Sequence, residues 1–115
     1  ELKNRHPTIP IIVFPRGVGA GFLEFVNFKE IDGLAIDNSV PVNWAKENLQ
    51  NKKTIQGNLD PTLLVTGGDE LMFECKKILE ALSTGPYIFN LGHGITPDAN
   101  PYNVDKLLEY IRNVN

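Results

Sequence analysis

The sequence predicts an α/β fold built from four parallel βα units. Four short strand-like runs, the first nearly continuously apolar and rich in β-branched residues, begin near residues 9, 33, 53 and 87. Each is followed by a loop dense in Gly, Pro, Asn or Asp, and then by a stretch whose apolar residues recur at helical spacing. The starts lie 24, 20 and 34 residues apart, too far for hairpins but suited to strand–helix repeats. The strands should therefore be parallel, joined by right-handed crossovers.

Taken in order, residues 1–7 are polar and end at Pro7, as the tail of a helix or a connector would. Ile9 to Phe14 is nearly continuously apolar, the pattern of a strand buried on both faces. It stops at Pro15, and the loop that follows carries Arg16, Gly17, Gly19 and Gly21. Phe22, Leu23, Phe25, Val26 and Phe28 can line one side of a helix, with Glu24 and Lys29 toward water. Gly33 to Asp37 is the second strand, Asn38 to Pro41 its loop, and Val42 to Gln50 a helix carrying Trp44. Lys52 to Gln56 is a weaker third strand, followed by a loop from Gly57 to Pro61. Asp69 to Ser83 has the strongest helical pattern, with Leu71, Met72, Cys75, Ile78, Leu79 and Leu82 at spacings of three and four. Asp69 and Glu70 place acid at the positive end of its dipole. Pro86 to Leu91 reads as a buried fourth strand, Gly92 to Pro101 as a loop, and Asn103 to Val114 as a closing helix with Val104, Leu107, Leu108 and Ile111 on one face. Residues 1–115 read as one structural unit without repeat or linker.

Bulk properties narrow the function classes. Net charge is −3 and the 11 basic residues are scattered, so no stripe exists to neutralise a row of phosphates, and nucleic acid is not expected as a partner. No apolar run approaches the ~20 residues of a bilayer-spanning helix. The single cysteine, Cys75, excludes an internal disulfide and a multi-thiol metal site, and agrees with a reducing, cytoplasmic location. The chain starts at Glu1 rather than methionine, which suggests a processed or partial polypeptide.

Four parallel strands can form a small open sheet or half of an eight-stranded βα barrel, a fold of about 250 residues. The loops favour the barrel: Arg16, Asp37, Asn58, Asp60 and His93 all follow strands, and a barrel gathers such loops on its functional face. A half-barrel has two open edges and an uncovered apolar face, so it should dimerise, aggregate or require a partner segment.

Two loops carry a resemblance to a known family. Ile55 to Pro61 (Ile-Gln-Gly-Asn-Leu-Asp-Pro) and Phe89 to Ile95 (Phe-Asn-Leu-Gly-His-Gly-Ile) resemble the two C-terminal signatures of the uroporphyrinogen decarboxylases. Val13 to Gly17 is similar to that family's strand, basic residue and glycine, and Leu34 to Asp37 to its strand ending in aspartate. The resemblance implies the C-terminal half of a (βα)8 TIM-type barrel, with the N-terminal part absent. It implies a cytoplasmic, cofactor-independent lyase of porphyrin and haem biosynthesis. That enzyme converts uroporphyrinogen III to coproporphyrinogen III by removing four acetate carboxylates. The whole enzyme is then expected to be a homodimer acting on a tetrapyrrole, and the fragment alone to be inactive. Of the family's site residues only the histidine of the Gly-His-Gly turn transfers, making His93 the expected substrate-binding residue; no catalytic residue and no metal ligand is assignable on this segment. The sequence departs at Asn38, where the family commonly has tryptophan.

A histidine that titrates near neutral pH suits the edge of a polyanion site, and its flanking glycines would let the backbone approach a flat macrocycle. Arg16 could attract carboxylates, Asp60 and Asn58 read as turn braces, and Asp37 as an orienting acid. Cys75, Trp44 and the Phe22, Phe25 and Phe28 group read as core. The Gly17, Gly19 and Gly21 series has Phe22 where a dinucleotide loop needs its last glycine. Two alternatives stand beside the decarboxylase reading: a zinc-dependent corrinoid methyltransferase barrel, which needs thiol and histidine ligands at strand ends, and a self-standing flavodoxin-like binding module.

Overall fold

The computed structural model describes residues 2–15 and 21–114; Arg16, Gly17 and Gly19 of the predicted first rim loop lie outside the described residues. The elements are α1 (Leu2–Arg5), β1 (Ile12–Val13), α2 (Phe22–Phe25), β2 (Gly33–Ala35), α3 (Val42–Asn48), β3 (Thr54–Gln56), α4 (Leu63–Thr66), α5 (Gly68–Leu82), β4 (Tyr87–Ile88) and α6 (Pro101–Val114). All three strand pairings are parallel and the order is β1-β2-β3-β4. A doubly wound sheet of the flavodoxin type would put its first strand inside the sheet. Here β1 is an edge, which sets that alternative aside.

Register and side-chain alternation give the two faces different characters. Val13, Leu34, Ile55 and Tyr87 are aligned across the four strands and therefore share a face. They join one apolar cluster with Phe22, Ile36, Ala45, Leu49, Leu71, Cys75, Ile78 and Leu82. The other face is uncovered: Ile12, Phe14 and Ile88 retain 42%, 39% and 42% of their surface exposed. The expectation that the first strand is buried on both faces, and that the fourth is buried, is thus corrected for the described residues, because helices cover one face only. Full burial of such a side chain stabilises by about 1.5–3 kcal/mol, so the open face leaves apolar stabilisation unrealised.

Local differences from the predicted elements have physical causes. The first helix ends at Phe25 because Asn27 turns its Nδ2 back onto the Leu23 carbonyl at 3.1 Å, a local bond that competes with the helix. Phe28 accordingly lies outside the core, edge-on to Phe25. The short α4 was not legible in advance. A sharp turn at Gly67, φ 64°, separates it from α5. A side chain there would collide with Asn103, since an added Cβ falls 2.2 Å from Asn103 Oδ1. Buried Asn103 donates to the Leu64 carbonyl at 2.9 Å, tying α6 to α4. Leu108 is exposed rather than on the docked face of α6, whose buried stripe runs through Asn103 and Leu107. Buried Gln50 donates from Nε2 to Leu82 O at 2.6 Å and Pro86 O at 3.1 Å, joining the end of α5 to the start of β4.

One ion pair fixes the N-terminal segment. Lys3 Nζ and the Ile11 N–H both donate to Asp32 Oδ2, at 2.8 and 2.7 Å. The Lys3 bond first, and the Ile11 bond second, hold the Asp32 carboxyl below its ordinary pKa. A lowered folded pKa means stability that is present above the unfolded value, about 4, and lost as pH falls through the folded one. The stability gap between the wild type and Asp32→Asn is therefore expected to be full at pH 6 and to shrink toward pH 3 in urea titrations. A gap that does not change over this range counts against the assignment.

Candidate functional site

The uncovered face ends in a cleft of about 410 Å³, lined by Phe14, Ala35, Gln56, Asn90, His93 and Ile95 among others. All of these sit at or beyond the C-terminal ends of β1 to β4, the end at which parallel βα folds place their chemistry. The loop after β4 is held to the loop after β3. Leu59 and Leu91 form a bridge, Leu59 N–H donates to Asn90 O at 3.2 Å, and Gly92 N–H donates to Leu59 O at 2.7 Å. This short ladder carries the chain one step past the sheet and delivers His93 half-buried at the rim, its ring edge-on to Phe14 with centroids 6.4 Å apart.

The two glycines beside His93 do different jobs. A Cβ on Gly92 would lie 2.4 Å from the Asn38 nitrogen, so Gly92 is spent on packing against the loop after β2. Gly94 has nothing within 4 Å of that position and is the glycine that faces open space. Of the two, only Gly94 leaves room for the close approach expected of both. Asn38, where tryptophan was expected, serves as the backbone platform for Gly92.

Of the other predicted rim residues that are described, Asp37 and Asp60 brace their own loops and Asn58 ties the loop after β3 to the loop after β2. Asn58, 5% exposed, donates from Nδ2 to Asp37 O at 2.9 Å and Val40 O at 2.8 Å. Asp37, 7% exposed, accepts from the backbone N–H of Ser39 at 2.8 Å and from the Ser39 hydroxyl. Asp60 Oδ1 accepts from Thr62 N at 2.9 Å and Thr62 Oγ1 at 2.7 Å, the turn brace its sequence context predicts. Asn58 and Asp60 border a separate cleft of about 320 Å³ against α5, with Glu70, Glu74 and Lys77. The structure thus brings His93 to the open face and leaves Asn58 and Asp60 away from it.

Two further titratable groups lie beneath the site. Burial pushes the Cys75 thiol up to about 11. The Tyr87 hydroxyl, which donates to the Gly57 carbonyl, is pushed up by burial and secondarily by Cys75. Both stay protonated at neutral pH and are structural. Cys75 is fully buried in the core, so it cannot serve as the strand-end thiol that the methyltransferase alternative requires. Among the described residues no three His, Cys, Asp or Glu side chains gather as a metal-binding group, and no helix is long and apolar enough to cross a membrane. Gln56 was passed over as the last residue of a strand; the signal that would have found it is alternation, since fully buried Ile55 forces Gln56 onto the opposite face.

A family model described as uroporphyrinogen decarboxylase (URO-D) matches residues 1–114. The chain belongs to the uroporphyrinogen decarboxylase family. It is 58% identical over 112 residues to a uroporphyrinogen decarboxylase of Jannaschia sp. (strain CCS1). It is 56% identical over 113 residues to that of Cereibacter sphaeroides (strain ATCC 17025 / ATH 2.4.3), and 55% identical over 113 residues to that of Rhodobacter capsulatus. Each alignment takes in 97% of this chain and 33% of the relative, so the chain spans about a third of the length of the curated relatives it matches. Within this member of the family, the two motifs that carry the resemblance, Ile55 to Pro61 and Phe89 to Ile95, are the strand ends and loops joined by the Leu59–Leu91 bridge.

Proposed function

We propose that residues 1–115 are the C-terminal βα units of a uroporphyrinogen decarboxylase barrel and contribute one wall of its substrate cleft. The whole enzyme removes the four acetate carboxylates of uroporphyrinogen III to give coproporphyrinogen III, without a cofactor, as a cytoplasmic homodimer. The observation that carries this reading is the uncovered sheet face that ends at His93. A sequential parallel sheet with open edges and an exposed apolar side is what half of a closed βα barrel would leave, which supports the reading.

Loss of CO₂ leaves the electron pair of the broken bond on the exocyclic carbon that stays attached to the pyrrole. Protonation of the pyrrole ring first makes it the electron sink, and the exocyclic carbon is reprotonated afterwards. The site must therefore hold a polyanion while protons move. His93 donates a hydrogen bond to a substrate carboxylate from the rim, with Phe14 supporting one ring edge. The remaining charged groups come from outside residues 1–115, so this segment alone does not decarboxylate.

The test replaces the matching third of the Jannaschia relative with residues 1–115. The fusion is expected to release coproporphyrinogen and CO₂, and the isolated chain neither. A hydrogen bond to a charged group contributes about 1.5–3 kcal/mol, so His93→Ala in the fusion should lower kcat/KM roughly 10- to 150-fold. Turnover by the isolated chain, or a correctly folded fusion without activity, overturns the reading.

A further inference from the structure

Gln56 is the one polar side chain that the strands themselves send into the cleft beside His93. Alternation puts it on the open face, and register sets it level with Ala35 on one side and Ile88 on the other. Ala35 is too short to cover it and Ile88 offers only hydrocarbon. The carboxamide is half-buried and makes no hydrogen bond to any described residue. The neighbouring amide along the cleft is committed differently: Asn90 Oδ1 accepts from Leu91 N at 2.8 Å. A half-buried amide flanked by apolar groups is costly to leave without a partner once a ligand displaces water.

We infer that Gln56 is a substrate-positioning residue, donating from Nε2 to a side-chain carboxylate of the bound tetrapyrrole on the same wall of the cleft as His93. The inference rests on the decarboxylase reading. A neutral donor suits this place. It binds a carboxylate without neutralising the charge that His93 and the groups outside the segment balance, and the rigid β3 backbone fixes its height. The Gln56 carbonyl accepts the Ile36 N–H at 2.8 Å, so its main chain is anchored in the sheet.

The experiment uses the full-length decarboxylase that carries these residues. Gln56→Leu keeps similar bulk, one atom shorter, and removes the donor; KM for uroporphyrinogen should rise about tenfold or more, with kcat changed less than about threefold and the melting temperature unaltered. Gln56→Glu places like charge against the carboxylate and should raise KM further. An unchanged KM for Gln56→Leu, with or without a lower melting temperature, overturns the positioning role. Tighter binding by Gln56→Glu also overturns it, because an acceptor would then be preferred and a pyrrole N–H would be the partner. If the wild-type enzyme converts uroporphyrinogen, either result counts against Gln56 alone; a wild type that neither converts nor binds it removes the functional reading and this inference together.

Discussion

Asn58→Ala is expected to lower the unfolding free energy by roughly 2–4 kcal/mol. The side chain is 5% exposed and its Nδ2 serves two carbonyls, Asp37 O and Val40 O. Truncation strands the Val40 carbonyl at a site too enclosed for easy hydration, at about 1–3 kcal/mol, and removes one of the two donors to Asp37 O, which keeps the Val40 N–H at 3.2 Å, at about 1 kcal/mol. Asn58→Asp keeps the shape but cannot donate, and adds charge close to Asp37; it should cost at least as much. Urea denaturation of both variants measures this. A loss below about 0.5 kcal/mol, the range of ordinary surface substitutions, would mean the two bonds do not hold the loop.

Gly92→Ala is expected to destabilise by about 1–3 kcal/mol, the range for overpacking a close-packed site. The added methyl meets the Asn38 nitrogen at 2.4 Å and the Asn38 Cβ at 2.9 Å. Backbone on both sides of the contact leaves no flexible group to yield, so the loop must lift and carry His93 with it. Gly94→Ala, with nothing within 4 Å, should stay within about 0.5 kcal/mol. In the full-length enzyme the first substitution should also lower kcat/KM. Equal stability of the two variants in paired thermal melts would remove the packing explanation.

The strand–helix alternation and the one-sided helices were legible because they rest on periodicity. Leu71, Cys75, Ile78, Leu79 and Leu82 fall at helical spacing and all are buried. The exposure of the opposite face was not legible from β1, because a run such as Ile9 to Phe14 reads alike whether its second face meets side chains of the same chain or of another segment. Asn103 and Gln50 were invisible for a different reason. Each is a polar residue whose partner carbonyls lie more than 30 positions away, at Leu64 for Asn103 and at Leu82 and Pro86 for Gln50, and no local pattern encodes such a pairing. His93 was found by its motif and Asp60 by its turn chemistry. Gln56 needed the strand phase, which became certain only once Ile55 was seen buried.

The strand order has a consequence for how the segment is made. Every strand hydrogen-bonds only to its neighbours in sequence, and the helices touch partners one or two helices along, α3 with α5, α4 with α5 and α6, and α5 with α6. Each βα unit emerging from the ribosome therefore finds its docking surface already synthesised, and no strand must wait for a later one to be inserted beside it. Such nearest-neighbour growth keeps loop closures short, which favours rapid folding, and resembles the stepwise propagation of repeat arrays. Of the units described, α6 follows the others, and its Asn103 meets Gly67 and Leu64, which precede it in the chain.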